Sequence, residues 1–450
     1  MLVTFRAKAR KLIHAIAWKA FYLLVHKRYY GILTWLYARV TEERLSDGTL
    51  RRPAGPSRDD RITILALAPQ QFRGDLHFFA ASGEVRVLQL PEQWKTRLMY
   101  QFYPQGLRQA QILWQHINAR PDEPRAAARH RYRLFLRGFL PRLYRKLGVN
   151  CVVGHHVHHP ANVDWGAVSD ELGFPYIVLH RESLLASPHM REWVKARVAE
   201  LGRFEGSHIV VHNRVARETF IDAGFVEPER ISSLGCVRMD SFLKRIAGAE
   251  PRLSGRKKVT FFALGLGGVL ADQLFPFFRD VHVTLARLAM RHPELDVVMK
   301  SKPKYFPQWC QMLQKAFDEA GISADRIPNL HICCDLDAQT LILDSNVVCG
   351  LNSTTLLEAG IAGKPVVLPY FGALRDPQYD ARLQFREGFH LFDVATTPEA
   401  FEALVLERLD NPGVDRAAME GRGTLFEKYV SNLDGNATEK YLGLVRQIVA

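Results

Sequence analysis

Acidic residues are missing from two stretches of this 450-residue chain, and those two absences account for its charge. Residues 1–40 hold eight Lys/Arg and no Asp or Glu; residues 125–146 hold eight more, again without an acid. Removing those sixteen from the 60 basic residues leaves 44 against 47 acidic ones, so the body is near neutral despite a formal net charge of +13. This distribution argues against a nucleic-acid binder and for local contact with anionic lipid or phosphate. Cysteine is scarce too: six residues, none in a C-x-x-C pair, several inside apolar runs where a thiol behaves as a small hydrophobe. A disulfide framework is excluded and a reducing cytoplasm is expected. Long apolar runs are also lacking at the N-terminus. The longest uncharged run there, Tyr29 to Ala38, has ten residues, about half of the ~20 that span a bilayer. No small-residue cleavage site follows it, so neither a span nor a secretory signal is expected.

What is present organises the rest. Residues 1–45 interleave Trp18, Phe21, Tyr22, Tyr29, Tyr30 and Trp35 with Lys and Arg. Aromatic rings at headgroup depth and cations reaching for lipid phosphates make an interfacial helical anchor. A helix packed on the protein with snorkelling cations is the other reading of the same residues. From Arg61 onward short apolar runs alternate with helical stretches, including 105–119 and 125–147, and a second such series follows the Gly/Pro/Arg-rich stretch 247–257. The pattern predicts two doubly wound, Rossmann-like α/β domains facing an interdomain cleft, over 60–245 and 257–430, with a C-terminal helix over 431–450 packed back on the first. Ligands of such sheets bind beyond the carboxyl ends of the strands, so strand-to-helix turns are where chemistry is sought.

The richest turn lies in Ser345-Asn-Val-Val-Cys-Gly-Leu-Asn-Ser-Thr-Thr-Leu-Leu-Glu-Ala-Gly-Ile-Ala-Gly-Lys-Pro-Val-Val-Leu-Pro369. A strand ends at Gly350 and a helix opens behind Asn352, Ser353, Thr354 and Thr355. Free backbone amides and hydroxyls there suit a phosphate, and Glu358, one turn on, is within reach of a ribose. The same residues also spell a helix cap with Glu358 as its capping-box partner. Lys300 and Lys302 follow another predicted strand and would offset charge building on a leaving phosphate, or form a solvated basic loop. Gly267 stands in a glycine cluster that would let backbone approach a ligand. On the N-terminal side, Gly154-His155-His156-Val157-His158-His159 and His180-Arg181-Glu182-Ser183 end two strands. A hydroxyl acceptor needs its proton removed, and His156, Glu182 or His155 is the candidate base; helix capping is the alternative use of both turns. No metal site is assigned. Arg129, Arg133 and Arg137 repeat at i, i+4 and share one helical face, open to headgroups, to an acceptor's phosphates or to solvent.

The 345–369 segment resembles the nucleotide-binding region of GT-B-fold glycosyltransferases, with its Ser/Thr turn, "LLEA" and "GKPVV". It is also similar to the surface-carbohydrate and CDP-glycerol glycerophosphotransferase-like branches. Gly235-Cys-Val-Arg238-Met-Asp240 resembles the G-x-x-R-x-D element those families place before the interdomain linker. The resemblance implies a nucleotide-sugar donor, held by Lys300, Lys302, Asn352, Ser353, Thr354, Thr355, Glu358 and Gly267 with Arg238 nearby. It further implies a lipid-linked or oligosaccharide acceptor, no cofactor, no nucleic-acid partner, and work at the inner face of the cytoplasmic membrane during capsule, O-antigen or lipopolysaccharide assembly. Retaining members often carry two glutamates in an E-x7-E pair; Glu358 matches the second and Gly350 replaces the first, which favours inversion. A polyol-phosphate transferase, a sugar-nucleotide epimerase and a non-catalytic membrane-bound scaffold are the alternatives within the same fold.

Overall fold

Short apolar runs without polar alternation make strands buried on both faces, and this chain uses them so. The computed structural model describes residues 17–57, 60–72, 74–103, 120–248, 255–264 and 272–450. The expected helix 105–119 lies outside them. One sheet contains β1 (Glu42–Arg44), β2 (Leu50–Arg51), β3 (Ile62–Leu67), β4 (Val85–Leu90), β5 (Cys151–Gly154), β6 (Tyr176–Leu179), β7 (His208–Val211) and β8 (Ile231–Ser233). Its order is β2-β1-β4-β3-β5-β6-β7-β8. β3 to β8 are parallel, while β1 runs antiparallel along β4 with Glu43 opposite Leu88. The second sheet contains β9 (Lys258–Phe262), β10 (Asp296–Lys300), β11 (Leu330–Cys333), β12 (Val347–Gly350), β13 (Val366–Pro369) and β14 (Asp393–Ala395), all parallel. Its order, β11-β10-β9-β12-β13-β14, is that of a doubly wound dinucleotide-type domain. In each sheet the winding reverses beside the first parallel strand, between β3 and β5 and between β9 and β12. Crevices for ligands open at the carboxyl ends there.

The N-terminal segment is held against the body. In the helix Tyr30–Val40, Leu33 and Tyr37 are fully buried, and Tyr37 donates to the Trp94 carbonyl at 2.8 Å. The Tyr37 ring also meets Phe139 at 5.0 Å between centroids. Tyr22, Leu23, Tyr29, Ile32 and Trp35 face outward, each about half exposed. Among the described residues no helix is long and apolar enough to cross a membrane.

The arginine face of the helix Pro124–Leu147 points elsewhere than expected. Arg129 and Arg133 both donate to the buried Asp164 carboxylate, at 2.7 and 2.6 Å, and Arg133 also pairs with Glu205. Arg137 pairs with Glu171 at 2.8 Å. These guanidiniums are paired with the carboxylates of neighbouring segments and clamp the domain. A wheel of one helix shows which residues share a face, not that an acid waits opposite it.

The chain closes by returning to the first domain. The helix Ala437–Val449 buries Tyr441, Leu442 and Val445 with the residues under β3 to β5. The Gly235-x-x-Arg238-x-Asp240 element explains how. Gly235 has φ +92°, and a Cβ there would stand 3.0 Å from Ser431 Oγ, so glycine lets the returning strand of chain pass. Asp240 then accepts from the Ala437 and Thr438 amides at 3.0 and 2.8 Å, capping that last helix. Arg238, between them, is left for the cleft.

Candidate functional site

Two strand edges build the cleft. On the C-terminal side β12 ends at Gly350, whose φ is +153° and whose missing Cβ would lie 2.8 Å from the Phe262 carbonyl of β9. No side chain fits between these strands, which gives the physical reason for glycine where E-x7-E enzymes carry glutamate. Asn352 then turns in the left-handed region at φ +56°, and Ser353 caps the helix Thr354–Ile361, its Oγ accepting from the Thr355 amide at 3.3 Å. Ser353, Thr354 and Thr355 are partly buried and lie at the reversal point between β9 and β12, beside a helix N-terminus. Glu358 is buried at 3% exposure.

Asn352 has a structural partner: its Oδ1 accepts from the Gln384 amide at 2.8 Å. Gln384 Oε1 in turn accepts from the Ala186 amide at 3.0 Å, and the Phe385 amide donates to the Ala186 carbonyl at 2.8 Å. This chain of bonds ties the Ser/Thr turn of one domain to the loop after β6 in the other. Nothing in the local sequence around Gln384 announces it.

The lysines separate. Lys300, the last residue of β10, donates to the Cys334 carbonyl at 3.1 Å. The chain does not stay extended beyond it: Pro303–Tyr305 form a 3-10 turn, Lys302 is exposed before it, and Lys304 lies over the Tyr305 ring. Lys300, Lys302 and Lys304 therefore do not share one face. Gly267 lies outside the described residues.

On the N-terminal side β5 and β6 deliver histidines at neighbouring carboxyl ends. His156 meets His158 and His180 with ring centroids 3.8 and 4.4 Å away. A pocket of about 240 Å³ has His156, His158, His180, Glu182, Trp193 and Phe220 in its wall. Two of the three candidate bases thus line one cavity, Glu182 exposed and His156 enclosed. Burial, and then the neighbouring imidazoles, pushes His156 well below the usual histidine range. Burial pushes His158 down to about 3 and His180 to about 4. These rings are neutral at pH 7. His156 Nδ1 accepts from the His158 amide at 3.4 Å, which leaves the proton of the neutral ring on Nε2. Among the described residues no three His, Cys, Asp or Glu side chains converge as metal ligands would.

Sequence reading gave Arg181 and Asp337 no role and named Arg238 without its contacts. Arg181 pairs with Asp75, which opens the helix after β3, at 3.0 Å. Arg238 is held strongly protonated by the adjoining Cys236 sulfur, then by Glu358 and Asp75, so it lies within the field of carboxylates from both domains. Its Nε is buried with no hydrogen-bond partner among the described residues. The triplet Asp335-Leu336-Asp337 has the spacing of a metal motif, but Asp337 caps the helix Ala338–Asp344, accepting from the Thr340 amide at 2.8 Å. Only contacts between distant segments reveal the roles of Arg181 and Arg238.

Two Rossmann-like domains whose strand ends face one cleft, with the last helix crossing back, define the GT-B architecture. Neither a protein-family model nor a curated relative matches the sequence. Solved structures do. A protein assigned as the UDP-N-acetylglucosamine 2-epimerase of Listeria monocytogenes is similar over 86% of this chain and 96% of its own, with 12% identity and a TM-score of 0.50. The UDP-GlcNAc 2-epimerase of Neisseria meningitidis bound to UDP-GlcNAc covers 86% and 99%, at 11% identity and a TM-score of 0.47. The wall teichoic acid polymerase TagF covers 86% and 88%, at 12% and 0.45. Likeness at such identity shows the fold: this is a GT-B-type protein.

Proposed function

We propose that this protein is a glycosyltransferase that moves a sugar from a nucleotide-sugar donor to a hydroxyl of a lipid-linked or glycan acceptor, with inversion, in the assembly of a cell-surface polysaccharide. The observation that carries the reading is the pairing of unlike edges: a Ser/Thr-capped helix N-terminus in one domain, and a pocket holding Glu182 beside neutral imidazoles in the other. The Ser353–Thr355 turn, with Lys300 and Arg238, receives the phosphates, and Glu358 the ribose. Glu182 takes the proton of the acceptor hydroxyl as its oxygen bonds to the anomeric carbon; the bond from that carbon to phosphate breaks, and its electron pair leaves on the phosphate. His156, with its proton on Nε2, orients the hydroxyl. A single displacement inverts the carbon, and Gly350 offers no carboxylate at the first position of the pair found in retaining enzymes.

The test is product mass after incubation with UDP-, GDP-, CDP- and CMP-sugars and polyprenyl-phosphate-linked or oligosaccharide acceptors. An acceptor heavier by one sugar supports the reading. A product retaining a donor phosphate makes it a polyol-phosphate transferase, an altered donor sugar alone an epimerase, and no turnover above buffer a scaffold.

The outward row Tyr22, Leu23, Tyr29, Ile32 and Trp35, set among Lys19, Lys27, Arg28 and Arg39, supports seating on an anionic membrane, since each cation near such a surface adds ~1 kcal/mol. The segment also supplies Val25, Leu33 and Tyr37 to the core, so point substitutions on its outward row are the probe. Ile32→Ser/Trp35→Ser keeps those three, and is expected to lose co-sedimentation with phosphatidylserine vesicles at low salt while the melting temperature holds.

A further inference from the structure

Behind the cleft edge, at the reversal point between β3 and β5, lies a buried polar chain that the transfer chemistry above does not use. Lys95, in the helix Glu92–Tyr100 after β4, is completely buried, and its ammonium donates to Asn162 Oδ1. Asn162 is completely buried as well, and its Nδ2 lies 3.5 Å from His155 Nδ1. Donor and acceptor bookkeeping along this chain permits one arrangement. Burial brings Lys95 down to about 7, so at pH 6 it is an ammonium with three N–H groups and nothing to accept with, and the Asn162 atom facing it is the oxygen. The amide's other end is then NH₂, which can only donate. His155 Nδ1 must therefore accept, and the single proton of the neutral ring sits on Nε2. Neutrality is itself built in: burial, then His159 and Lys95, push His155 down to about 3. No group among the described residues takes up Nε2, and His155 keeps 7% exposure at the strand end.

We infer that Lys95 and Asn162 are positioning residues that lock His155 as a neutral Nε2–H donor, aimed at an oxygen of the substrate in the cleft. This removes His155 from the candidate bases, since its lone pair faces away, and makes it a stabiliser of developing negative charge. A fixed N–H donor of that kind is worth about 10²–10³ in kcat. The donating role rests on the cleft being a transferase site; the locked tautomer does not.

The experiment is nitrogen-15 NMR of the imidazoles in the full chain at pH 6, with His155 assigned through His155→Gln. The expected wild-type state is Nε2–H; an Nδ1–H ring, or a mixture, overturns the inference. Asn162→Asp then places a carboxylate between Lys95 and His155, which accepts from both, so the ring must turn over to Nδ1–H. With melting temperature retained, the expected result is that tautomer switch together with a kcat about 100-fold lower and donor KM within about twofold. An unswitched tautomer overturns the lock, and a switch with kcat intact overturns the donating role. Should Asn162→Asp fail to fold, Lys95→Met/Asn162→Leu replaces both partners by apolar groups of similar shape, and a mixed tautomer is then expected; a ring still held as Nε2–H overturns the lock. A wild-type tautomer as stated in a protein without any transfer activity sinks the proposed function and leaves the lock standing.

Discussion

On the C-terminal side of the cleft the polar groups are small and fixed by backbone: Ser353 caps its helix, Gly350 is pressed against Phe262, and Asn352 is tied to Gln384. On the N-terminal side they are titratable and crowded, with His155, His156, His158 and His180 held below the usual histidine range chiefly by burial at adjoining strand ends. One edge offers permanent dipoles and suits a phosphate, whose charge changes little as it is held. The other offers groups whose protonation is set by burial and suits a step in which a proton moves. The same doubly wound geometry serves both because a strand end fixes where a side chain points and leaves its chemistry free.

The largest expected effect tests the division on the proton side. Glu182→Gln is expected to lower kcat by ~10²–10⁴ while leaving donor binding nearly unchanged, and His156→Ala by only about tenfold, the worth of one hydrogen bond. Steady-state kinetics with both variants decide it; if His156→Ala shows the larger loss, the two residues exchange roles.

Acid comes next. The buried histidines have folded values near 3 to 4, against about 6.5 when unfolded, so below pH 6.5 the unfolded chain binds protons that the folded chain refuses. Stability is expected to be flat above pH 6.5 and to fall steeply below it, by up to roughly 1.4 kcal/mol per unit for each such ring. Urea midpoints at pH 7.5, 6 and 4.5 measure this. Replacing His158 by Asn is expected to make the slope shallower, and a slope left unchanged would clear the cluster of responsibility. Glu92, held down to about 2 chiefly by its bond to His159, contributes in a lower window, losing its stabilisation below the usual carboxylate range.

The fixed edge is probed by Gly350→Ala. A Cβ there meets the Phe262 carbonyl at a φ unfavourable for any side chain, so a loss of about 3 kcal/mol is expected in denaturant titrations. Tolerance of alanine would mean that geometry alone does not keep glutamate out. Smallest of all, Ser353→Ala removes one cap and is expected to cost about 1 kcal/mol of stability. Calorimetry should show weaker nucleotide binding in Ser353→Ala and in Glu358→Gln; unchanged affinity in both would detach this turn from the donor.

Much of the architecture was legible because it rests on local pattern. Uninterrupted apolar runs, punctuated by Gly and Pro, read as buried parallel strands, and β5, β6 and β13 are such strands, buried throughout. β1, β2 and β8 were not legible, being two or three residues long and mostly polar; they are strands only because a neighbour's unpaired backbone lies alongside. The residue types at the two turns were also readable, since a helix start after a strand is a local event.

What each side chain does there was decided by segments far away in sequence. The Arg129, Arg133 and Arg137 face looked open until Asp164, Glu205 and Glu171 came to meet it. Arg238 gained its carboxylate neighbours, Glu358 and Asp75, from more than a hundred positions away, and His155 its tautomer from Lys95 through Asn162. The amino-acid order by itself determined strands, helices, two domains and the chemistry available at each turn, because these follow from periodicity and backbone geometry within a few residues. Only the tertiary structure decided which charges are paired, which rings are neutral and which way their protons face. Those depend on burial and on the donors and acceptors that folding brings within about 3 Å, a distance on which sequence separation has no bearing.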